Sequence, residues 1–287
     1  MWRTNDVRGL QALMAIHPHS SGRVHLPGGA FWLFTSNEGI TMNLKGHTAL
    51  ITGAGQGIGK ACALVFAERG ADLVLVERNP VTLHAVKEEC FEKGREVYGL
   101  QVDLTDFGVL RRELEKIPSS FTVDILVNNA GFDRPGTSAK IDREAFESVL
   151  GVHLTVPLIL TQVFLPSMRE RKWGRIINVG SIYGLIGAKG ELAYSTAKAG
   201  MIGLTKSVAR EAGSDNVTVN TVLPGLTRTP AIENFMADKF KEMIIKDTPL
   251  GRMAEPEEIA KVIAFLASED ASFITATALP VSGGWGI

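Results

Sequence analysis

The run Thr48-Ala49-Leu50-Ile51-Thr52-Gly53-Ala54-Gly55-Gln56-Gly57-Ile58-Gly59 decides the fold of this chain. Its first five residues are apolar or β-branched and suit a buried strand. The glycines after them suit a tight turn, and an amphipathic pattern from residue 57 suits a helix opening directly from that turn. A glycine cluster alone is often a plain turn, but between strand and helix it has a mechanism. Gly53 permits the turn, Gly57 lets backbone approach a pyrophosphate, and Gly59 lets the helix pack on the strand. The helix N-terminus, entered through Gln56 and Ile58, adds N–H groups and the positive end of a dipole.

Outward from this run, short β-branched stretches alternate with longer amphipathic ones. Strands are expected at Thr48–Thr52, Leu73–Glu77, Val97–Val102, Asp124–Asn128, Arg175–Val179, Val217–Leu223 and Ala278–Val281. Helical patterns lie at about 57–69, 80–93, 106–117, 142–170, 190–213, 233–246 and 256–268, with Asp142 and Pro256 as start signals. The alternation is that of an α/β protein: a single-domain Rossmann fold, in which a doubly wound parallel sheet of about seven strands is flanked by helices. A ligand pocket is expected outside the carboxyl ends of the strands.

The chain has 287 residues, 45% of them hydrophobic, and a net charge of −1. That length can bury a substantial core in one domain. Near-neutral charge without a basic run argues against nucleic acid as an obligate partner, and no apolar run approaches the roughly 18 residues of a membrane span. Cys62 and Cys90 fall inside helical patterns, as packing residues and not at metal or redox spacing, so no metal is expected and a reducing cytoplasm is the expected compartment. Residues 1–42 lack any period and no secretory segment stands out; Met42 reads as a second start. They are expected to be a poorly ordered extension, dispensable for chemistry, leaving 43–287 as the folded domain.

Glu77 closes the second strand, where its carboxylate can accept hydrogen bonds from adenosine ribose hydroxyls and repel a 2′-phosphate. Arg78 beside it could bind such a phosphate, yet Gln56 brings no second cation to the glycine loop. NAD is the expected cofactor, ahead of NADP. Further on, Tyr194 and Lys198 sit four residues apart on one helix face. A free tyrosine has a pKa of about 10, and a neighbouring cation favours its phenolate. The pair alone occurs on many solvated helices; beside a dinucleotide loop it reads as an acid/base.

With these residues in place, the chain resembles the short-chain dehydrogenase/reductase family over about residues 44–287. The resemblance rests on the Thr-Gly-x-x-x-Gly-x-Gly loop and Tyr-x-x-x-Lys pair, with Asp103-Leu104, Asn128-Asn129-Ala130-Gly131, Ser181, Pro224-Gly225, Thr229 and Gly283-Gly284 in order. It implies that Asp103 meets the adenine, that Leu104, Asn129, Ala130, Gly131, Pro224 and Gly225 line the cofactor, and that Thr229 contacts the nicotinamide carboxamide or a phosphate. It further implies that Tyr194 exchanges the proton with the substrate oxygen, Ser181 orients that oxygen, and Lys198 holds the nicotinamide ribose and lowers the tyrosine pKa. Family members are commonly homotetramers, so a homo-oligomer is implied.

Two positions depart from the family pattern. Val152-His153-Leu154 replaces a usual Val-Asn-Leu, where the asparagine helps kink a helix so that its main-chain carbonyl holds a relay water. Pro157 has no N–H to return to the carbonyl of His153, so that carbonyl could still hold the water. The imidazole could instead shuttle protons, or simply pack. The second departure is Ser282, in place of a common aspartate before the paired glycines, where a local structural difference is expected.

The substrate is expected to meet Phe132–Arg134, Ile182–Glu191 and the stretch 226–252. Arg134, Glu191 and Leu226 are the leading contacts, with Lys189, Leu185 and Ile186 also considered. The first reading is an NAD-dependent dehydrogenase of a polyol, cyclic alcohol or hydroxy acid; the alternative is a 3-oxoacyl-thioester reductase. A catalytically silent NAD-binding sensor is the alternative of another class. The apolar end, Gly283 to Ile287, is expected to bury against a neighbouring subunit or the pocket.

Overall fold

The computed structural model describes residues 22–25, 31–34 and 42–287, and the chain divides into two compact units at Met42. In the first unit, strands β1 (Gly22–His25) and β2 (Phe31–Phe34) pair antiparallel, from Gly22 opposite Phe34 to His25 opposite Phe31. Most of the expected extension, 1–42, lies outside the described residues.

The second unit carries the seven-stranded sheet. Its strands are β3 (Thr48–Thr52), β4 (Asp72–Glu77), β5 (Val97–Gln101), β6 (Val123–Asn128), β7 (Gly174–Val179), β8 (Val217–Pro224) and β9 (Ala278–Val281). They are all parallel, in the order β5-β4-β3-β6-β7-β8-β9. The chain winds one way from β3 to β5 and the other way from β6 to β9, so the switch point falls between β3 and β6.

Strand side chains alternate between the sheet's two faces, and each face has its own core. Ala49, Ile51, Leu73, Leu75, Ile125 and Val127 pack with α1 (Gly57–Glu68), α2 (Pro80–Phe91) and α10 (Pro256–Leu266). Leu50, Val74, Val76 and Leu126 pack on the other face with α3 (Phe107–Leu114), α5 (Val156–Glu170) and α7 (Leu192–Ala212). Both faces being covered explains why these strands read as unbroken apolar runs. Cys62 and Cys90 are free and buried in the first core, where burial pushes both thiols up, Cys90 to about 12.

Three expected helices differ. The pattern at 106–117 forms only Phe107–Leu114, capped by the Asp106 carboxylate. The pattern at 233–246 breaks into α8 (Pro230–Phe235) and α9 (Asp238–Asp247), because Met236 and Ala237 are extended between them. The pattern at 142–170 is α4 (Arg143–Leu150), a π turn at Gly151–Thr155, and α5. In that turn the Val156 N–H reaches back to the Gly151 carbonyl, and Pro157 has no N–H to continue an ordinary ladder. The short α6 (Tyr183–Ile186) was not anticipated. By length and composition alone Arg143–Glu170 could also cross a membrane, contrary to the reading of the bare sequence; 56% of its apolar window is buried within the protein, the pattern of a core helix.

Candidate active site

A cavity of about 460 Å³ opens at the carboxyl ends of the strands. Apart from Gly59, every residue expected to bind a cofactor lines it, and so do Ser181, His153, Glu191 and Leu226. Gly59 works from behind the wall: a Cβ there would lie 2.0 Å from the Gly53 carbonyl oxygen, so only glycine lets α1 pack on the loop. Gly57 has φ of +54°, in the left-handed region, and Thr229 closes over it. No acidic residue occupies the first turn of α1, and the Gln56 side chain does not cap it. The helix therefore keeps its N–H groups and positive dipole end for an anion, and the cradle fits a dinucleotide pyrophosphate.

Side chains behind the loop hold it in shape. The Thr52 hydroxyl accepts from the N–H groups of Asn129 and Ala130, both at 3.0 Å, while Asn129 Nδ2 donates to the carbonyls of Thr52 and Gly53 at 2.9 and 3.2 Å. The amide of Asn129 is thus spent on the loop itself. Beneath it, Asn128, Asn178, Thr205 and Thr221 form a buried hydrogen-bonded chain across β6, β7, α7 and β8. Sequence reading missed the last three, since isolated Asn and Thr in apolar strands carry no spacing signal.

At the adenosine end the Glu77 carboxylate accepts from three backbone N–H groups: Gly55 at 3.1 Å, Arg78 at 2.9 Å and Asn79 at 3.0 Å. It is a fixed negative charge between β4 and the glycine loop. Asp103 accepts from the Thr105 N–H and hydroxyl, at 2.9 and 2.8 Å, and those bonds hold its carboxyl below the usual range.

Tyr194, Lys198 and Ser181 converge at the other end. Burial pushes the Tyr194 phenol up to about 12, the neighbouring Ser181 hydroxyl eases it down, and Asp133, Glu191 and Tyr183 oppose its ionisation. Lys198, 3% exposed, donates to the Val179 carbonyl at 2.6 Å and stands 5.4 Å from the Tyr194 ring. Burial pushes its ammonium down to about 7. The expected lowering of the phenol by the ammonium is therefore not what this site shows: desolvation dominates both groups, and the ammonium is engaged by β7.

His153 is 1% exposed and meets Tyr194 edge to face, with ring centroids 5.5 Å apart. Its Nε2 lies 2.8 Å from the Phe132 carbonyl, an acceptor only, so Nε2 carries the proton and Nδ1 is left as an acceptor with no protein partner. The ring also fills the space beside Gly131, where a Cβ would fall 2.1 Å from Cε1. Burial first, then Lys198, pushes the imidazole down to about 3, and the Phe132 bond opposes this. A group so low stays neutral near pH 7, which speaks against imidazole shuttling.

The stability consequence has a definite sign. A folded-state pKa below the unfolded value means that the unfolded chain binds the extra proton, so stability falls as pH drops from about 6.5 toward 3. His153→Asn is expected to remove an acid-limb slope of up to about 1.4 kcal/mol per pH unit in this window. Urea midpoints from pH 7 to 4.5 check it; parallel slopes for both proteins would refute a buried neutral imidazole.

Three residues do not take the expected positions. Arg134 lies outside the cavity wall, with its guanidinium 5.7 Å from the Phe132 ring centroid. Leu185 and Ile186 are half exposed and also outside it. The apolar wall comes instead from Leu226, Ile232, Met236, Ile244 and Trp285, with Trp285 edge to face on Tyr183 at 5.4 Å. Of the two expected burial sites for the chain end, Trp285 takes the pocket. Asp133 and Tyr183, which line the cavity, were not singled out from sequence. Ser282 is buried with its hydroxyl unpartnered.

Fold and site together define a nicotinamide-dependent oxidoreductase of the tyrosine–lysine type, acting on CH–OH or C=O groups. The chain belongs to the short-chain dehydrogenase/reductase family: a family model described as enoyl-(acyl carrier protein) reductase matches residues 53–286. A 3-oxoacyl-[acyl-carrier-protein] reductase of Vibrio cholerae is 40% identical over 85% of this chain and 98% of the relative. Among solved structures, a putative NAD(P)-dependent gluconate 5-dehydrogenase from Beutenbergia cavernae, with bound NADP at low occupancy, superposes with a TM-score of 0.81 at 31% identity, covering 85% and 98% of the two chains. A 3-oxoacyl (acyl-carrier-protein) reductase from Agrobacterium tumefaciens with NADP bound gives 0.80 at 33% identity, covering 85% and 96%.

Proposed function

We propose that this chain interconverts 3-oxoacyl and 3-hydroxyacyl thioesters using NAD(H). The observation that carries the reading is the convergence of Tyr194, Ser181 and Lys198 beside the glycine cradle, opposite an apolar wall that suits an acyl chain. When bound, the reduced nicotinamide supplies hydride to the keto carbon. Tyr194 gives its proton to the carbonyl oxygen, Ser181 holds that oxygen, and Lys198 serves the nicotinamide ribose. Similarity to 3-oxoacyl reductases in both sequence and structure favours this substrate over a polyol, cyclic alcohol or free hydroxy acid, the first reading of the sequence.

Reduction of acetoacetyl-coenzyme A, followed by nicotinamide absorbance, tests the reading. A folded, cofactor-binding protein that turns over neither this thioester nor simple alcohols and ketones would instead be a sensor.

The choice of NAD over NADP rests on Glu77, whose carboxylate, held at the end of β4 by the Gly55, Arg78 and Asn79 N–H groups, suits ribose hydroxyls and repels a 2′-phosphate. Glu77→Ala, with Arg78 left in place, is expected to reduce the NAD/NADP ratio of kcat/KM by about tenfold or more, from the loss of one close like charge. An unchanged ratio would sink the NAD assignment.

His153 contributes its main-chain carbonyl more than its ring. The Val156 N–H goes to Gly151, and Pro157 offers no donor, which leaves the carbonyl of residue 153 without its ordinary partner and able to hold a relay water. The chain works in the cytoplasm as a homo-oligomer, with the exposed Leu158 and Val163 of α5 offering apolar contact area to another subunit.

A further inference from the structure

The substrate side of the cavity is built around two carboxyl groups. Two backbone ties bring their segments together. Residue 136 bridges parallel to Glu191, with the Gly136 N–H on the Gly190 carbonyl at 2.7 Å. At the other end of the same loop, His153 Nε2 holds the Phe132 carbonyl at 2.8 Å, immediately before Asp133. Glu191 Oε2 is wholly buried and has no hydrogen-bond donor from the protein, although its residue faces the cavity. A buried carboxylate oxygen with no donor beside it disfavours a second negative charge next to it.

From this geometry we infer that Asp133 and Glu191 form a charge filter, admitting uncharged keto or hydroxy compounds and rejecting free carboxylates. The inference deepens the proposed function, and rests on it in treating the natural substrate as an acyl thioester and not the free acid.

The electrostatics agree. Burial, and then the neighbouring Asp133 carboxyl, raises the Glu191 carboxyl to about 8. Both carboxyls act on the phenols of Tyr194 and Tyr183, which places their charge beside the reacting centre. Among the described cavity residues the arginine and lysine side chains are Arg78 and Lys198, the latter buried and held by Val179. Arg134 and Lys189 lie outside the wall. A substrate carboxylate would therefore be repelled by the Asp133 and Glu191 carboxyls, whereas a neutral ester or thioester would not.

The test compares ethyl acetoacetate with acetoacetate, a neutral and an anionic 3-oxo compound, in the wild type and in Asp133→Asn/Glu191→Gln. The wild type is expected to favour the ester in kcat/KM, and the double variant to narrow that preference by about tenfold or more, chiefly through KM for the anion. Should the double variant fail to fold, Asp133→Asn and the salt dependence of the wild-type ratio stand in, with added salt expected to narrow it. If neither compound turns over, calorimetric titration of both into the protein–cofactor complex decides the same preference. An anion handled as well as the ester by the wild type, or a ratio the substitutions leave alone, overturns the filter. Reduction of the ester without reduction of acetoacetyl-coenzyme A overturns the thioester reading and leaves the filter standing.

Discussion

Tyr194→Phe is expected to lower kcat by about 10²- to 10⁴-fold, the usual contribution of a positioned proton donor. The substitution removes one oxygen and little else. The ring would keep its edge-to-face contact with His153 and its place 5.5 Å away, along with its position under the Lys198 ammonium. Cofactor affinity and thermal midpoint should therefore stay close to wild type, and kcat and kcat/KM should fall together, as for an interaction made only in the transition state. Rates at several pH values check a second feature. With the phenol pushed up to about 12 by burial, the cofactor-free enzyme holds a protonated tyrosine across the physiological range, which suits proton donation in reduction. A loss of less than tenfold would remove Tyr194 from the chemistry.

The second large effect is expected at Lys198, in two opposite directions. Lys198→Met should cost about 10²- to 10³-fold in rate, the scale of losing one fixed donor at a reacting centre. The same variant should be more stable than wild type without cofactor. Burial pushes the folded-state ammonium down to about 7 against an ordinary value near 10.5, so the unfolded chain binds the proton more tightly. The stability that this group allows is complete above about pH 10.5 and declines as pH falls toward 7, by about 1.4 kcal/mol per pH unit. Methionine has no such dependence. Its thermal advantage should be largest near pH 7, at about 2–4 °C per kcal/mol for a domain of this size, and should shrink as pH rises. Loss of the 2.6 Å bond to Val179 offsets part of the gain. A variant less stable than wild type at pH 7, or an advantage that does not shrink with pH, would show that the ammonium is not strained by burial.

Both expectations concern the cost of a preorganised site. A phenol and an ammonium held away from water are individually unfavourable, and a stable sheet with two cores accommodates them.

How far this could be read in advance differs by element. All seven strands of the main sheet were legible within a residue or two, because a strand buried on both faces is a short apolar run between turn residues. The glycine loop was legible too: the need for no side chain at Gly57 and Gly59 is written in the residue type. Helix interruptions were not. The split at Met236 and Ala237 and the π turn before Pro157 leave the apolar period almost intact while changing the backbone path.

The site shows the same division. Tyr194, Lys198, Ser181 and Glu77, singled out by motif spacing and order or by ending a strand, all line the cavity. Arg134 was misplaced, since a cation next to a cofactor loop looks like a ligand until its side chain is seen over Phe132. Asp133 and Tyr183 fell within the segments expected to meet the substrate but carried no spacing signal of their own, and the structure sets them near Tyr194.

The sequence by itself determined the doubly wound sheet, the glycine turn between strand and helix, and the shared helix face of Tyr194 and Lys198, because each depends on local rules: strand period, turn chemistry and four-residue helix spacing. Tertiary structure alone decided which groups are buried beside which. It placed the Lys198 ammonium on Val179, made His153 a neutral donor to Phe132, and set Asp133 and Glu191 together on the cavity wall. Those properties arise from desolvation and from contacts between residues far apart in the chain, and neither is encoded in the spacing of nearby residues.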